Sequence, residues 1–252
     1  MVAADSRTRR GAYLLVAAAA VLLRLAVLLY ERSAITSQFV DNSDDFARTF
    51  LASGTYGFIP GHPSAYTQPL YGFFLVPLYW IFDRSWITVG LAQIAVAAAT
   101  ALVVFELGRR FVSQRVGLLA ALVFTLEPYL IWHDVHMNRE ILDQLLAATL
   151  VLMTLSLAAR PTLPRGLALG AVAGLGVLGN VRLLLLPLIV AGFVLVCARR
   201  AAVVPALATV LVAAIVVLPW AIRNRASVGC FTLTTDSRAL WKANNPATLS
   251  TL

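Results

Sequence analysis

The chain has 252 residues, 60% of them hydrophobic and 13% charged, whereas soluble domains carry roughly a quarter charged residues. This balance excludes an ordinary soluble domain and indicates a membrane protein. The net charge of +8 gives no case for nucleic-acid binding, because the arginines stand in small groups between apolar runs instead of gathering with aromatics on a polar face.

Arg7, Arg9 and Arg10 precede an apolar run at residues 11–30, long enough at ~1.5 Å per residue to cross a ~30 Å hydrocarbon core. Its apolar region is too long for a signal peptide and no A-x-A site follows, so it reads as an uncleaved first span with a cytoplasmic N-terminus. Arg24, inside this run, is expected to pair with an acid of the outer loops.

The stretch DNSDDFARTFLASGTYGFIPGHPSAYTQPLYGFFLVPLYWIFD holds a cluster of carboxylates, Asp41, Asp44 and Asp45. Phe46, Phe50 and Leu51 recur at helical spacing, with Asn42 or Ser43 as the cap and Asp44 four residues before Arg48. Asp44 and Asp45 can therefore simply complement a helix N-terminus. Asp41 precedes the cap and is expected to be free of that duty, which makes it the first candidate for a catalytic base, with Asp44 and Asp45 beside it. Pro69–Phe82 is apolar but short, and it reads as an interfacial or re-entrant helix with Tyr71, Tyr79 and Trp80 in the headgroup zone. Residues 31–85 thus form a first extracytoplasmic loop with interfacial helices.

Further apolar runs at 86–107, 116–132, 141–159, 166–179, 183–197 and 201–220 bring the expected total to about seven spans, the two short runs 166–179 and 183–197 forming a tight hairpin. The class is all-α and polytopic, since the alternating pattern of a membrane barrel is absent. Threading these spans puts Arg109, Arg110, Arg115, Arg160, Arg165, Arg199 and Arg200 on the cytoplasmic side with the N-terminal arginines, as the positive-inside rule asks. The same threading places every acid except Asp5 and Glu106 at the outer face. Cys197 and Cys230 fall at opposite faces and are not expected to pair.

The second outer loop reads EPYLIWHDVHMNRE. His133, Asp134 and His136 lack a complete zinc-type ligand spacing, so no metal site is assigned and a divalent cation is the only cofactor left open. Glu140 opens an apolar helix, where an acid needs water or a partner such as Arg139. Arg182, in GNVRLLLLP, wants an anion, and a lipid phosphate would satisfy it bidentately; snorkelling to the headgroups is the plain alternative. Arg223 and Arg225 complete a basic outer rim.

Taken in order, LASGTYGFIPGHPSAYTQPLYGFFLVPLYWIF, ELGRRFVSQRVGLLAALVFTLEP, NREILDQLL, GVLGNVRLLLLP and LPWAIRNRASVGCFTLTTDSRALWKANNP resemble bacterial membrane glycosyltransferases related to protein O-mannosyltransferases and to the lipid A aminoarabinose transferase. The resemblance implies hexosyl or pentosyl transfer from a polyprenyl-phosphate carrier to a glycan, lipid or protein acceptor at the outer face of the inner (plasma) membrane. It also implies that a first-loop aspartate acts on the acceptor, which maps onto the cluster of Asp41, Asp44 and Asp45. Glu140, Arg182, Arg223 and Tyr71 are then the candidate substrate contacts, Arg182 or Arg223 facing the leaving phosphate. Two positions depart from the pattern: Asn42 stands where the family carries an acid, and the family's Pro-Tyr-Pro segment reads Pro69-Leu70-Tyr71-Gly72. Relatives continue past Asn244-Asn245-Pro246 with further spans, so the single transmembrane domain at 1–252 is expected to be incomplete at its C-terminal side. The alternatives are a transporter or flippase-like protein, for which repeated halves are missing, and a non-catalytic assembly subunit.

Overall fold

The computed structural model describes residues 2–236, with side chains from residue 10 onward. The expectations resting on the side chains of Arg7 and Arg9 and on Asn244-Asn245-Pro246 lie outside the described residues. Among the described residues ten α-helices run in chain order: α1 (Val2–Glu31), α2 (Ser43–Ser53), α3 (Pro69–Phe82), α4 (Trp86–Phe111), α5 (Gln114–Leu126), α6 (Pro128–His133), α7 (Glu140–Ala159), α8 (Leu163–Gly179), α9 (Leu186–Ala198) and α10 (Val203–Val228). The fold is an all-α polytopic membrane fold. Among the described residues four stretches are long and apolar enough to cross a membrane, at residues 10–36, 86–111, 140–159 and 181–228, the last taking in α9 and α10. α3, α5 and α8 are shorter apolar helices.

The expected runs map onto these helices with three differences. Residues 116–132 do not form one helix: the chain breaks at Glu127, which is extended (ψ 116°) and caps the next helix by accepting from Leu130 N–H. The cause is Pro128, which disfavours helical geometry at the residue before it and starts α6 at its own first position. Nor do the two short runs make a hairpin. α8 lies along α10 instead, and touches α9 far less. The pairing is written in glycines four apart: a Cβ on Gly166 would sit 2.4 Å from the Pro205 carbonyl oxygen, and one on Gly170 2.5 Å from that of Thr209. In lipid, where apolar side chains gain nothing by leaving the solvent, such backbone approach is what holds helices together. Third, Tyr71 and Tyr79 do not face the headgroups. With Leu75 they form the inward stripe of α3, all buried, and Trp80 alone of the three aromatics is exposed.

The helices alternate in direction, giving two ends. Tyr13, near the start of α1, donates to Glu106 near the end of α4, and Glu106 also binds Arg109 and Arg110. The short connections carrying Arg160, Arg165, Arg199 and Arg200 lie at this same arginine end. The other end carries the loops with Asp41, Glu127, Asp134 and Glu140.

Arg24 pairs with Asp134 as expected. The two are fully buried, with Nη2 2.7 Å and Nε 2.8 Å from Oδ2, and Gln144 donates to the other oxygen at 3.1 Å. The pair ties α1 to the loop between α6 and α7. Gln93 of α4 donates to the carbonyls of Asp134 (2.9 Å) and His136 (2.8 Å), while Tyr71 of α3 donates to Gln93 at 2.5 Å. Three helices thus hold the loop between α6 and α7. Beneath it Leu28, Ile35, Leu75, Val89, Met137 and Ile141 pack into one cluster.

Candidate active site

The three first-loop carboxylates have different surroundings. Asp44 is spent on structure: Arg84 reaches it through Nε and Nη2 (2.8–3.1 Å) and Tyr79 donates to it at 2.6 Å, with the carboxylate side chain 4% exposed. Arg84 extends to the Thr36 carbonyl at 2.7 Å, so the pair staples α2 to the end of α3 and to the segment after α1. Burial, and then the neighbouring Asp44, push the Tyr79 hydroxyl far above its ordinary range, so it stays a donor. Asp45 is exposed and, among the described residues, meets only Arg48, at 3.4 Å.

Asp41 is held differently. Its main-chain N–H donates to Met137 O (2.9 Å) and its Oδ1 accepts from Ser43 N–H (2.8 Å). The expectation that Asp41 is free of capping is therefore corrected: Asn42 makes no side-chain cap bond, and Asp41 supplies the acceptor because a carboxylate two residues ahead of an orphan N–H closes a tight turn. The half-buried carboxylate keeps Oδ2 without a hydrogen-bond partner among the described residues.

Sequence reasoning missed Asp143. It lies one turn into α7, three residues after Glu140, and accepts from Asn180 Nδ2 at 3.3 Å. It is six residues on from Met137, whose carbonyl holds the Asp41 main chain, so one end of α7 carries Asp143 and the anchor of Asp41 although 102 positions separate the two acids in the chain. A second acid at helical spacing inside an apolar span was the available signal. Gly179 is what lets α8 end here, since a Cβ would meet Asp143 Oδ1 at 3.0 Å and Leu70 at 3.1 Å.

The candidate substrate contacts divide. Glu140 is exposed and does not pair with Arg139, which binds Gln68 at the start of α3 instead. Arg182 is exposed in the one-turn helix Val181–Leu183, its side chain without a partner among the described residues. Arg223 is engaged, donating to the carbonyls of Ser64 and Tyr56 (both 3.0 Å) and lying over the Trp220 ring at 4.8 Å. It fastens the first loop to α10. Tyr71 is buried, with its hydroxyl committed to Gln93. Phe46, Tyr56, Phe73 and Trp220 stack edge and face at 4.9–5.2 Å along this seam, contacts worth about 0.5–1.5 kcal/mol each.

Between that aromatic seam and the helices α8 and α10 lies a groove of about 740 Å³, lined by Tyr56, Leu70, Phe73, Leu178, Trp220 and Arg223 among others. Leu70 touches both this groove and Gly179 beside Asp143. Among the described residues no three His, Cys, Asp or Glu side chains converge on a metal position. His136 binds Trp132 O through Nδ1 while His133 meets Asn138, so the two histidines do not share a ligand position.

A family model described as dolichyl-phosphate-mannose-protein mannosyltransferase matches residues 62–222, well over half of the chain. The chain belongs to this family. As a member of the mannosyltransferase family it is a membrane glycosyltransferase that uses a polyprenyl-phosphate sugar. Tyr71, Glu140, Asp143 and Arg182 lie within the part that matches the family, Arg223 one residue beyond it, and the three first-loop aspartates before it. No curated protein and no solved structure matches the chain at a significant level.

Proposed function

We propose that the protein transfers a sugar from a polyprenyl-phosphate carrier to a hydroxyl of a glycan, lipid or protein acceptor at the extracytoplasmic face, with Asp41 as general base. The observation that carries this reading is the contrast between the carboxylates: Asp44 is consumed by Arg84 and Tyr79, whereas Asp41 is fixed through its main chain and Oδ1 and keeps Oδ2 unpartnered. A base must be positioned but not neutralised.

In the step proposed, the acceptor hydroxyl gives its proton to Asp41 as its oxygen bonds to the anomeric carbon. The bond from that carbon to the phosphate oxygen breaks, and polyprenyl phosphate leaves with the electron pair. Arg182 is the free guanidinium suited to the charge that develops there; Arg223 already serves Tyr56 and Ser64. Asp143, steadied by Asn180, is suited to accept from a sugar hydroxyl and so to orient the donor. No step requires a cation. Placement of the site outside rests on the arginines at the opposite end of the helices, and residence in the inner membrane follows from that orientation and the carrier.

The test is transfer from radiolabelled polyprenyl-phosphate sugars into membranes carrying the chain, with Asp41→Asn, Asp44→Asn and Asp45→Asn compared at equal folded protein. Loss confined to Asp41→Asn supports the assignment; full activity in that variant removes it.

A further inference from the structure

Gln93 is a polar residue inside the apolar span at residues 86–111, and it is fully buried. A polar group at that depth needs partners, and the amide of Gln93 has them at both ends. Its Nε2 donates to the carbonyls of Asp134 (2.9 Å) and His136 (2.8 Å), which takes up both hydrogens, and its Oε1 accepts from the Tyr71 hydroxyl at 2.5 Å. The next carbonyl along the loop is that of Met137, and it accepts the main-chain N–H of Asp41 at 2.9 Å. Met137, itself fully buried, therefore links the carbonyl that Gln93 holds directly to the one that holds Asp41.

Hydrogen bonds between membrane helices contribute modestly to stability on average, because separated helices find other partners. The larger effect of a satisfied buried network is on geometry, since it selects one arrangement of the groups it joins. Here that arrangement ends at Asp41. Its Oδ1 is taken by Ser43 N–H, so the direction of the remaining oxygen follows from where the Met137 carbonyl stands. We infer that Gln93 is a positioning residue: through the loop between α6 and α7 it sets where the Asp41 carboxylate meets the acceptor hydroxyl, and Tyr71 holds its amide in the face that does so. This rests on Asp41 as the base proposed above. It also gives Tyr71 a part in the reaction that needs no contact with substrate.

The experiment compares Gln93→Met, close in volume to the parent, with the parent chain in membranes, at equal folded protein and with the concentration of a radiolabelled polyprenyl-phosphate sugar varied. The expected result is a kcat about 10²-fold lower, as misplacement of a catalytic group by about 1 Å produces, with KM little changed. Added to Asp41→Asn, the same substitution should cause no further loss, because the two act through one group. Hydrogen exchange read by mass spectrometry should be faster than in the parent in the peptide that carries the Asp41 amide. Gln93→Met leaves two carbonyls unpaired and should melt earlier, so Tyr71→Phe, which keeps both of those bonds and frees only the amide oxygen, is measured beside it and should show a smaller loss of kcat in the same direction. An equal proportional loss with and without Asp41→Asn overturns the inference, since Gln93 then acts elsewhere, and so does a loss carried by KM. The failure of the base is told apart by exchange. Parental exchange at Asp41 in Gln93→Met overturns the inference whatever Asp41→Asn does, whereas faster exchange with full activity in Asp41→Asn brings down the base reading.

Discussion

The main-chain N–H of Asp41 donates to the carbonyl of Met137 across 2.9 Å, joining the segment before α2 to the loop between α6 and α7. The loop that holds Met137 is in turn fixed by the Arg24–Asp134 pair and by the two bonds from Gln93. The position of the proposed base is thus set from inside the membrane bundle and not by its own loop alone.

Asp41→Asn is expected to lower transfer about 10²–10⁴-fold, the usual range for losing a general base, with the thermal midpoint in detergent unchanged. Asp45→Asn, at an exposed position, is expected to leave both unchanged. Parallel measurement of rate and melting separates the two outcomes.

Asp44→Ala should act on stability first. It removes charged hydrogen bonds from Arg84 and Tyr79 together, a loss of roughly 3 kcal/mol, and should be seen as earlier unfolding and lower yield. Asp44→Asn, which retains an acceptor for Tyr79, should fall between.

Breaking the buried pair through Arg24→Met alone should cost about 3–5 kcal/mol, because Asp134 is left charged and enclosed. Adding Asp134→Leu should recover most of that cost. A double variant no more stable than the single one would show that the pair contributes little beyond packing.

Gly170→Leu should push α10 away from α8. The Cβ alone arrives 2.5 Å from the Thr209 carbonyl oxygen, and overpacking of this kind typically costs 1–3 kcal/mol, occasionally more. Disulfide trapping between cysteines placed at the facing positions would report the separation.

Arg223→Lys should loosen the first loop, since an ammonium does not reproduce the guanidinium fork that spans the Ser64 and Tyr56 carbonyls. Limited proteolysis is the readout: cleavage between Gly57 and Ser64 should be faster than in the parent while α10 stays protected.

The sequence by itself determined the class and its ends. Apolar runs between arginine turns dictate membrane helices, because that signal acts through hydrophobic length. It also made the first-loop acids conspicuous and led to the expectation that Arg24 would find an outer acid. What it left undetermined was which carboxylate is spent. The string ranks Asp41 first only by its place before the cap, and what separates it from Asp44 is the approach of Arg84, Tyr79 and Met137, each from a distant segment. The same holds for Asp143, for the inward turn of Tyr71, and for α8 choosing α10 over its neighbour α9. These follow from contacts between segments far apart in the chain, and neither periodicity nor composition contains that information.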